Sequence, residues 1–451
     1  MEKIDEQLRS ELRKIENDFH QALIQLVAIP SVMEENEEDY PFGKNIDLAL
    51  KKTLEICEQL GFKTFYDPKG YYGYAEIGEG EELIGVLGHL DVVPAGKRDE
   101  WATPPFQATI KERKMYGRGT QDDKGPTLAA LFATKALLNL GTPFTKRVRF
   151  IFGTDEETLW RCMNRYCEIE EIPTMGFTPD SSFPLVYAEK GLLQLLLEGK
   201  NETSLRIKAG NAFNAVPDHA RFAGERIDEL KDSLEELDFA YEIVEEEIVV
   251  IGKSVHAQVT EKGINAINRL CLALKRIGYT SKTIAFINDL VKEDPYAVSI
   301  FGELEDEASG KLKFNVGKIE LNPEVERLSI DIRIPVTADK QKIVDTLSQR
   351  AKECGLEYKE FDYLKSIYIP KDHYLIKTLM NVYQEVTNDL ESEPISSGGA
   401  TYARAMENFV AFGAVFPHAT KTEHQPNEHI DLDEMYTAMI IYSKAIYALT
   451  R

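Results

Sequence analysis

The sequence predicts an α/β protein in which a mainly parallel sheet, flanked by helices, is interrupted by a large α+β segment. Three observations carry this reading. Residues 83–87 form a short, unbroken apolar run and 148–152 a second run interrupted only by Arg149, the pattern of buried strands. Helical patterns fall between such runs, as crossovers between parallel strands require. In mid-chain the texture changes: Leu328, Ile330, Ile332 and Ile334 alternate with Ser329, Asp331 and Arg333, giving a strand with one apolar and one polar face.

Taken in order, Ile4, Leu8, Leu12, Ile15, Phe19 and Leu23 recur at helical spacing and form an amphipathic helix ending near Ile29-Pro30. Residues 45–60 read as a second helix. The strand at 83–87 leads into a Gly/Asp-rich stretch, an Ala/Leu-rich helix over 127–140 and the strand at 148–152. From about Gly191, strand-like runs at 191–198, 243–251 and 328–334 mix with a helix over 263–277, as in an α+β insert with half-solvated sheets. From about Asp372 helix and buried-strand patterns return, including 409–416. The expected organisation is one domain over 1–189 and 372–451, interrupted by a second over 190–371.

Composition narrows the function. The chain has 451 residues and a formal charge of −23, which argues against nucleic-acid binding because that needs a basic footprint. Five scattered cysteines show no paired metal-type spacing and fit reduced thiols. The acidic N-terminus lacks the apolar core of a signal peptide, and no run approaches membrane-spanning length. A cytoplasmic protein without a membrane partner is expected.

Five places put an acid or histidine near a strand-to-loop transition, where open α/β sheets collect ligands. His89 and Asp91 follow the run at 83–87; alone, they also fit a surface His and a capping Asp. Asp122 and Asp123 sit in a glycine-rich loop before a helix, either capping it or placing a carboxylate between two cations. Asp155, Glu156 and Glu157 directly follow the strand at 148–152, as acids at a helix start or as carboxylates that a cation must neutralise. Asp180 follows a short apolar segment, and Glu423-His424 follow 409–416. Imidazole and carboxylate donors without Cys pairs suit zinc, manganese or cobalt in a catalytic rather than structural role. Two divalent ions bring four positive charges; Asp122, Glu157, Asp180 and one bridging hydroxide cancel them, with His89 and His424 completing one set each.

On these residues the chain resembles the M20 family of metallopeptidases, and within it the cytosolic dipeptidases of the PepV type. The matching segments are GHLDVVPAG (88–96), GRGTQDDKGP (117–126), TDEET (154–158), TPDSSFP (178–184), GKSVHA (252–257), SSGGATYAR (396–404) and HQPNE (424–428). The resemblance implies a zinc-peptidase-like catalytic domain with the insert as a lid. It implies that His89 and Asp180 hold one ion, Glu157 and His424 the other, and that Asp122 bridges both. Further implied are a cis peptide at Asp122–Asp123, Asp91 as the group orienting His89, Glu156 as general base and His256 as the lid histidine at the oxyanion. Asn214 resembles a lid residue that contacts substrate.

Read by itself, His256 also fits a hydrogen-bonded loop histidine. Arg333 fits either a fork on a substrate carboxylate or a pair with Asp331. Gly398 and Gly399 offer backbone N–H groups to a carboxylate, or form a plain turn. The expected activity is hydrolysis of free-amine dipeptides by a monomer or homodimer carrying two divalent ions, zinc first, with manganese or cobalt as alternatives. An N-acyl amino acid deacylase and a non-catalytic peptide-binding protein are the competing readings.

Overall fold

The structure, a computed structural model, describes residues 2–34 and 40–451; the side chains of residues 2–4, including Ile4 of the predicted stripe, lie outside the described residues. The chain divides into two compact units. Met1–Tyr187, Ile369–Ile395 and Thr401–Arg451 form the first; Ala188–Tyr368 and Ser396–Ala400 form the second. Ser396–Ala400 of the returning segment therefore groups with the second unit.

In the first unit four strands run parallel in the order Arg147–Gly153, Leu83–His89, Met175–Thr178, Phe409–Ala411. Every residue of Leu83–His89 is buried, which is why its sequence is a continuous apolar run without alternation. A hairpin of Lys63–Tyr66 and Gly73–Ile77 extends the sheet antiparallel on the Arg147–Gly153 side, so the parallel part is the centre and not the whole. The crossover helix Lys124–Asn139 is apolar on nearly every side and buried over most of its length, packed against Glu2–Val27 and Leu432–Leu449. Leu8, Leu12, Ile15, Phe19 and Leu23 all face inward from the first of these helices, as their spacing predicts.

The run at 409–416 is not one strand. Phe409–Ala411 pairs with Met175–Thr178, whereas Ala414–Val415 pairs with Ser181–Ser182. Between them Gly413 turns at φ 80, and a Cβ there would stand 2.4 Å from the Phe183 ring, so only glycine fits. Because the four central strands point the same way, the segments after His89, Gly153 and Thr178 emerge at one edge of the sheet.

The second unit is built on an antiparallel sheet ordered Ile207–Ala209, Lys313–Leu321, Val325–Ile334, Gly191–Lys200, Glu357–Leu364. The predicted helix is Ala266–Arg276, started by the Asn265 side chain, which accepts the N–H groups of Ile267 and Asn268. Two expectations need correction. The run at 243–251 is a hairpin of Tyr241–Val244 and Glu247–Ile251, turned at Glu245 with φ 59. The polar face of Val325–Ile334 is not solvated: Ser329, Asp331 and Arg333 are all buried. Period-two alternation reveals two faces, but not what covers the polar one, and here an ion pair makes burial tolerable.

All five cysteines are free thiols. Among the described residues no helix is long and apolar enough to cross a membrane.

Candidate metal centre

Three strand ends of the first unit and one distant loop converge. His89 closes the strand Leu83–His89; Glu156 and Glu157 follow Arg147–Gly153; Asp180 follows Met175–Thr178. Asp122 precedes the helix Lys124–Asn139, and His424 comes from the loop before His429–Asp431. The Asp122 carboxylate stands between the two imidazoles, with Oδ1 at 2.8 Å from His89 Nε2 and Oδ2 at 3.0 Å from His424 Nε2. Asp180 Oδ2 is 3.7 Å from His89 Nε2, and Glu157 is 3.1 Å from His424 Nε2. Donor atoms of His89, Glu156 and Asp180 lie within 4.8 Å of one another, as do those of Asp122, Glu157 and His424. Two ligand sets thus abut, with one carboxylate reaching into both.

The donors suit divalent ions. Burial, with neighbouring acids, pushes the Glu156 and Asp180 carboxyls well above the usual carboxylate range. Hydrogen bonds donated to the Asp122 and Glu157 carboxylates draw His424 up to about 11. Burial opposes charge on His89, yet the hydrogen bonds of Asp122 and Asp91 overcome it and hold that imidazole above its ordinary value. Protons on the imidazoles therefore partly supply the positive charge that the acids require. Ligation needs neutral imidazoles, so binding a divalent ion at neutral pH must expel protons and tighten as pH rises. Calorimetry in two buffers of different ionisation heat should show proton release; a buffer-independent heat would contradict it.

The three consecutive acids divide. Asp155 is buried and takes a two-pronged bond from Arg161, with Oδ2 at 2.8 Å from Nε and Oδ1 at 2.9 Å from Nη2. Only Glu156 and Glu157 belong to the centre. Asp123 starts the helix Lys124–Asn139 without a capping bond from its side chain. Its Oδ2 instead accepts Thr127 Oγ1 at 2.7 Å and the His89 N–H at 3.2 Å, so it positions the His89 backbone. The Asp122–Asp123 peptide is cis. Asp91 meets His89 Nδ1 through its backbone carbonyl at 2.9 Å, its carboxylate oxygen being 3.6 Å away. The other oxygen of that carboxylate accepts the Glu157 N–H at 3.0 Å. Asp91 thus orients both a ligand imidazole and a ligand acid.

Two supporting residues lie in segments that carry the resemblance, HQPNE and SSGGATYAR, but are not singled out there as site residues. Glu428 is completely buried; Oε1 accepts the N–H groups of Gly119, Gln121 and Asp122, and Oε2 meets Arg118 Nη1 at 2.6 Å. It holds the whole loop that presents Asp122. Glu428→Ala should destabilise the protein by about 3–5 kcal/mol, because a buried guanidinium and three N–H groups lose their partner. Thermal unfolding measures this, and an unchanged Tm would contradict it. Tyr402 packs edge-on against His89 with ring centroids 6.0 Å apart, and its hydroxyl lies 3.0 Å from Cys162 Sγ. A Cβ at Gly153 would lie 2.3 Å from the Tyr402 ring, so that strand must end in glycine.

A second group of predicted residues lies in the second unit. Asn214 and His256 are 42 positions apart but adjacent, because the Ala257 N–H donates to Asn214 O at 2.9 Å. His256 Nδ1 accepts the Gln258 N–H at 3.3 Å, which in the neutral ring leaves the proton on Nε2. Arg333 is paired with Asp331 at 2.6 Å and also donates to Gly398 O at 2.7 Å. The Gly399 N–H donates to Ser397 Oγ at 2.9 Å, so this turn is partly self-satisfied. At Gly398 a Cβ would stand 2.7 Å from Gln258 Cβ, which brings the glycine turn against the segment that carries His256.

The profile of Peptidase family M20/M25/M40 matches residues 85–448. "Putative dipeptidase YtjP" of Bacillus subtilis (strain 168) is 37% identical over 451 residues, covering 95% of this chain and 96% of its own. "Putative dipeptidase SAB1611c" of Staphylococcus aureus (strain bovine RF122 / ET3-1) is 32% identical over 467 residues, covering 98% and 99%. Among solved structures, human carnosine dipeptidase 1 aligns with a TM-score of 0.61 at 15% identity over 99% of both chains. An M20 family metallo-carboxypeptidase, Sso-CP2 from Sulfolobus solfataricus, aligns with a TM-score of 0.60 at 20% identity, covering 95% of this chain and 98% of its own. At those identities the structural likeness is one of fold.

Proposed function

From the premise that this chain belongs to peptidase family M20/M25/M40 and is a metal-dependent peptidase, we propose that it hydrolyses dipeptides with a free amino terminus. The observation that carries the reading is Asp122 between His89 and His424, one carboxylate serving two ligand sets. His89, Asp180 and Asp122 would hold one ion and Glu157, His424 and Asp122 the other, zinc being the first choice for this donor set. The similarity to proteins named as dipeptidases along nearly the whole chain supports the substrate class over N-acyl amino acids.

When bound, the two ions supply Lewis acidity at the scissile carbonyl and lower the pKa of the attacking water. Glu156 accepts the proton from that water; the burial that raises its pKa suits it to hold the proton and pass it to the leaving amine. Asp91 fixes the His89 ring and the Glu157 backbone, so neither has to reorganise during turnover. His256, with its proton on Nε2, donates to the carbonyl oxygen as charge develops there. Arg333 keeps two N–H groups beyond those given to Asp331 and Gly398, and these bind the substrate's C-terminal carboxylate. Asn214 and the turn at Gly398 and Gly399 line the same subsite, and the second unit acts as the lid.

A panel of dipeptides, tripeptides and N-acetyl amino acids, run on metal-loaded protein, tests the reading. Cleavage confined to free-amine dipeptides is expected. Preference for the N-acetyl substrates would make the protein a deacylase, and silence across the panel with metal bound would make it a binding protein.

A further inference from the structure

The two imidazoles of the centre are held in different ways. His89 is fully buried at the end of a strand, and its N–H is tied to Asp123 Oδ2. The His424 side chain is 53% exposed, and Gln425 and Pro426 beside it are exposed as well. Its backbone stands at φ 61, a left-handed conformation that residues other than glycine adopt at a cost. Packing therefore does not place this imidazole; the backbone of its loop has to.

One side chain shapes that backbone. Gln121, half-buried, immediately precedes Asp122. Its Oε1 accepts the Thr422 N–H at 2.6 Å and the Glu423 N–H at 3.0 Å. Its Nε2 donates to Thr420 O at 3.2 Å and to His429 O at 3.3 Å. A primary amide has two N–H donors and two acceptor lone pairs, so its whole capacity is spent on main chain lying on both sides of His424. The loop closes on itself at the same place: the His429 N–H donates to Thr422 Oγ1 at 3.1 Å and the Gln425 N–H to Thr422 O at 3.2 Å. In the opposite direction Glu428, at the far end of that loop, takes the N–H groups of Gly119, Gln121 and Asp122. Each loop thus holds the other, and Asp122 and His424 meet at 3.0 Å although 302 positions separate them.

We infer that Gln121 is a positioning residue for metal binding, an inference that rests on the two-ion reading above. It sets His424 against Asp122 and Glu157, so the ion held by His424 depends on it. The ion held by His89 does not, because a buried strand and Asp123 place that imidazole. The clasp consists of bonds within the protein, so the loop has its shape before an ion arrives.

Gln121→Met keeps the length of the side chain and removes all four hydrogen bonds. Titration of the chelator-treated, full-length protein with zinc should show two ions on the wild type. In the variant one ion should bind about 10–100-fold more weakly, the cost of losing a group that orients a ligand, while the other keeps its affinity. Zinc anomalous scattering from crystals of the variant should locate the weakened ion between Glu157 and His424. Added to His424→Ala, Gln121→Met should weaken that position no further, because both act through one imidazole. Hydrogen exchange of the metal-free wild type should already show protection over residues 420–429. Unchanged affinities in Gln121→Met, equal weakening of both ions, additive losses with His424→Ala, or protection of 420–429 only with zinc would overturn the inference alone. A wild type that binds fewer than two zinc ions would overturn it together with the two-ion reading.

Discussion

Glu156→Gln should retain two divalent ions per chain and lose roughly 10²–10⁴-fold in kcat, the range set by removing a general base. KM should change little, because the substitution keeps the shape of the side chain and removes only its proton chemistry. The result also decides between two roles. Glu156 stands close enough to His89 and Asp180 to serve as a ligand, but in the proposed mechanism it moves the proton. Metal analysis of the purified variant separates these roles: two ions with little turnover supports the base, whereas loss of one ion makes Glu156 a ligand.

Asp122→Ala should have the larger effect on metal content. Both imidazoles lean on this one carboxylate, at 2.8 and 3.0 Å, so its removal damages both ligand sets at once. Both ions should be lost, with turnover reduced by more than the roughly 10²–10³-fold cost of losing a single charge-stabilising group. His424→Ala is the control, since it belongs to only one set and should leave the ion at His89 in place. Equal loss of metal in both variants would contradict a bridging carboxylate.

How far the sequence anticipates this arrangement depends on whether a signal is local. His89 is legible because an unbroken apolar run marks a buried strand, and the residue closing such a strand lies at the ligand-bearing edge of the sheet. The acid trio is only partly legible. Three adjacent carboxylates reveal crowding, but that Asp155 turns away to Arg161 depends on where the next helix begins. Glu428 closes the HQPNE segment, but its role is not legible there: it braces a loop more than 300 residues earlier, and no spacing rule connects the two. The buried face of Val325–Ile334 fails similarly, since alternation leaves open that Arg333 finds both Asp331 and Gly398. The 409–416 strand fails through one glycine, whose positive φ redirects the chain between two apolar runs that look continuous.

The most direct test of a two-ion hydrolytic centre is a metal titration of chelator-treated protein, following bound metal and cleavage of a free-amine dipeptide together. The account predicts no turnover without metal, two ions bound per chain, and activity that reaches its plateau as the second ion is bound. Hydrolysis by metal-free protein, or full activity with a single ion per chain, would contradict it.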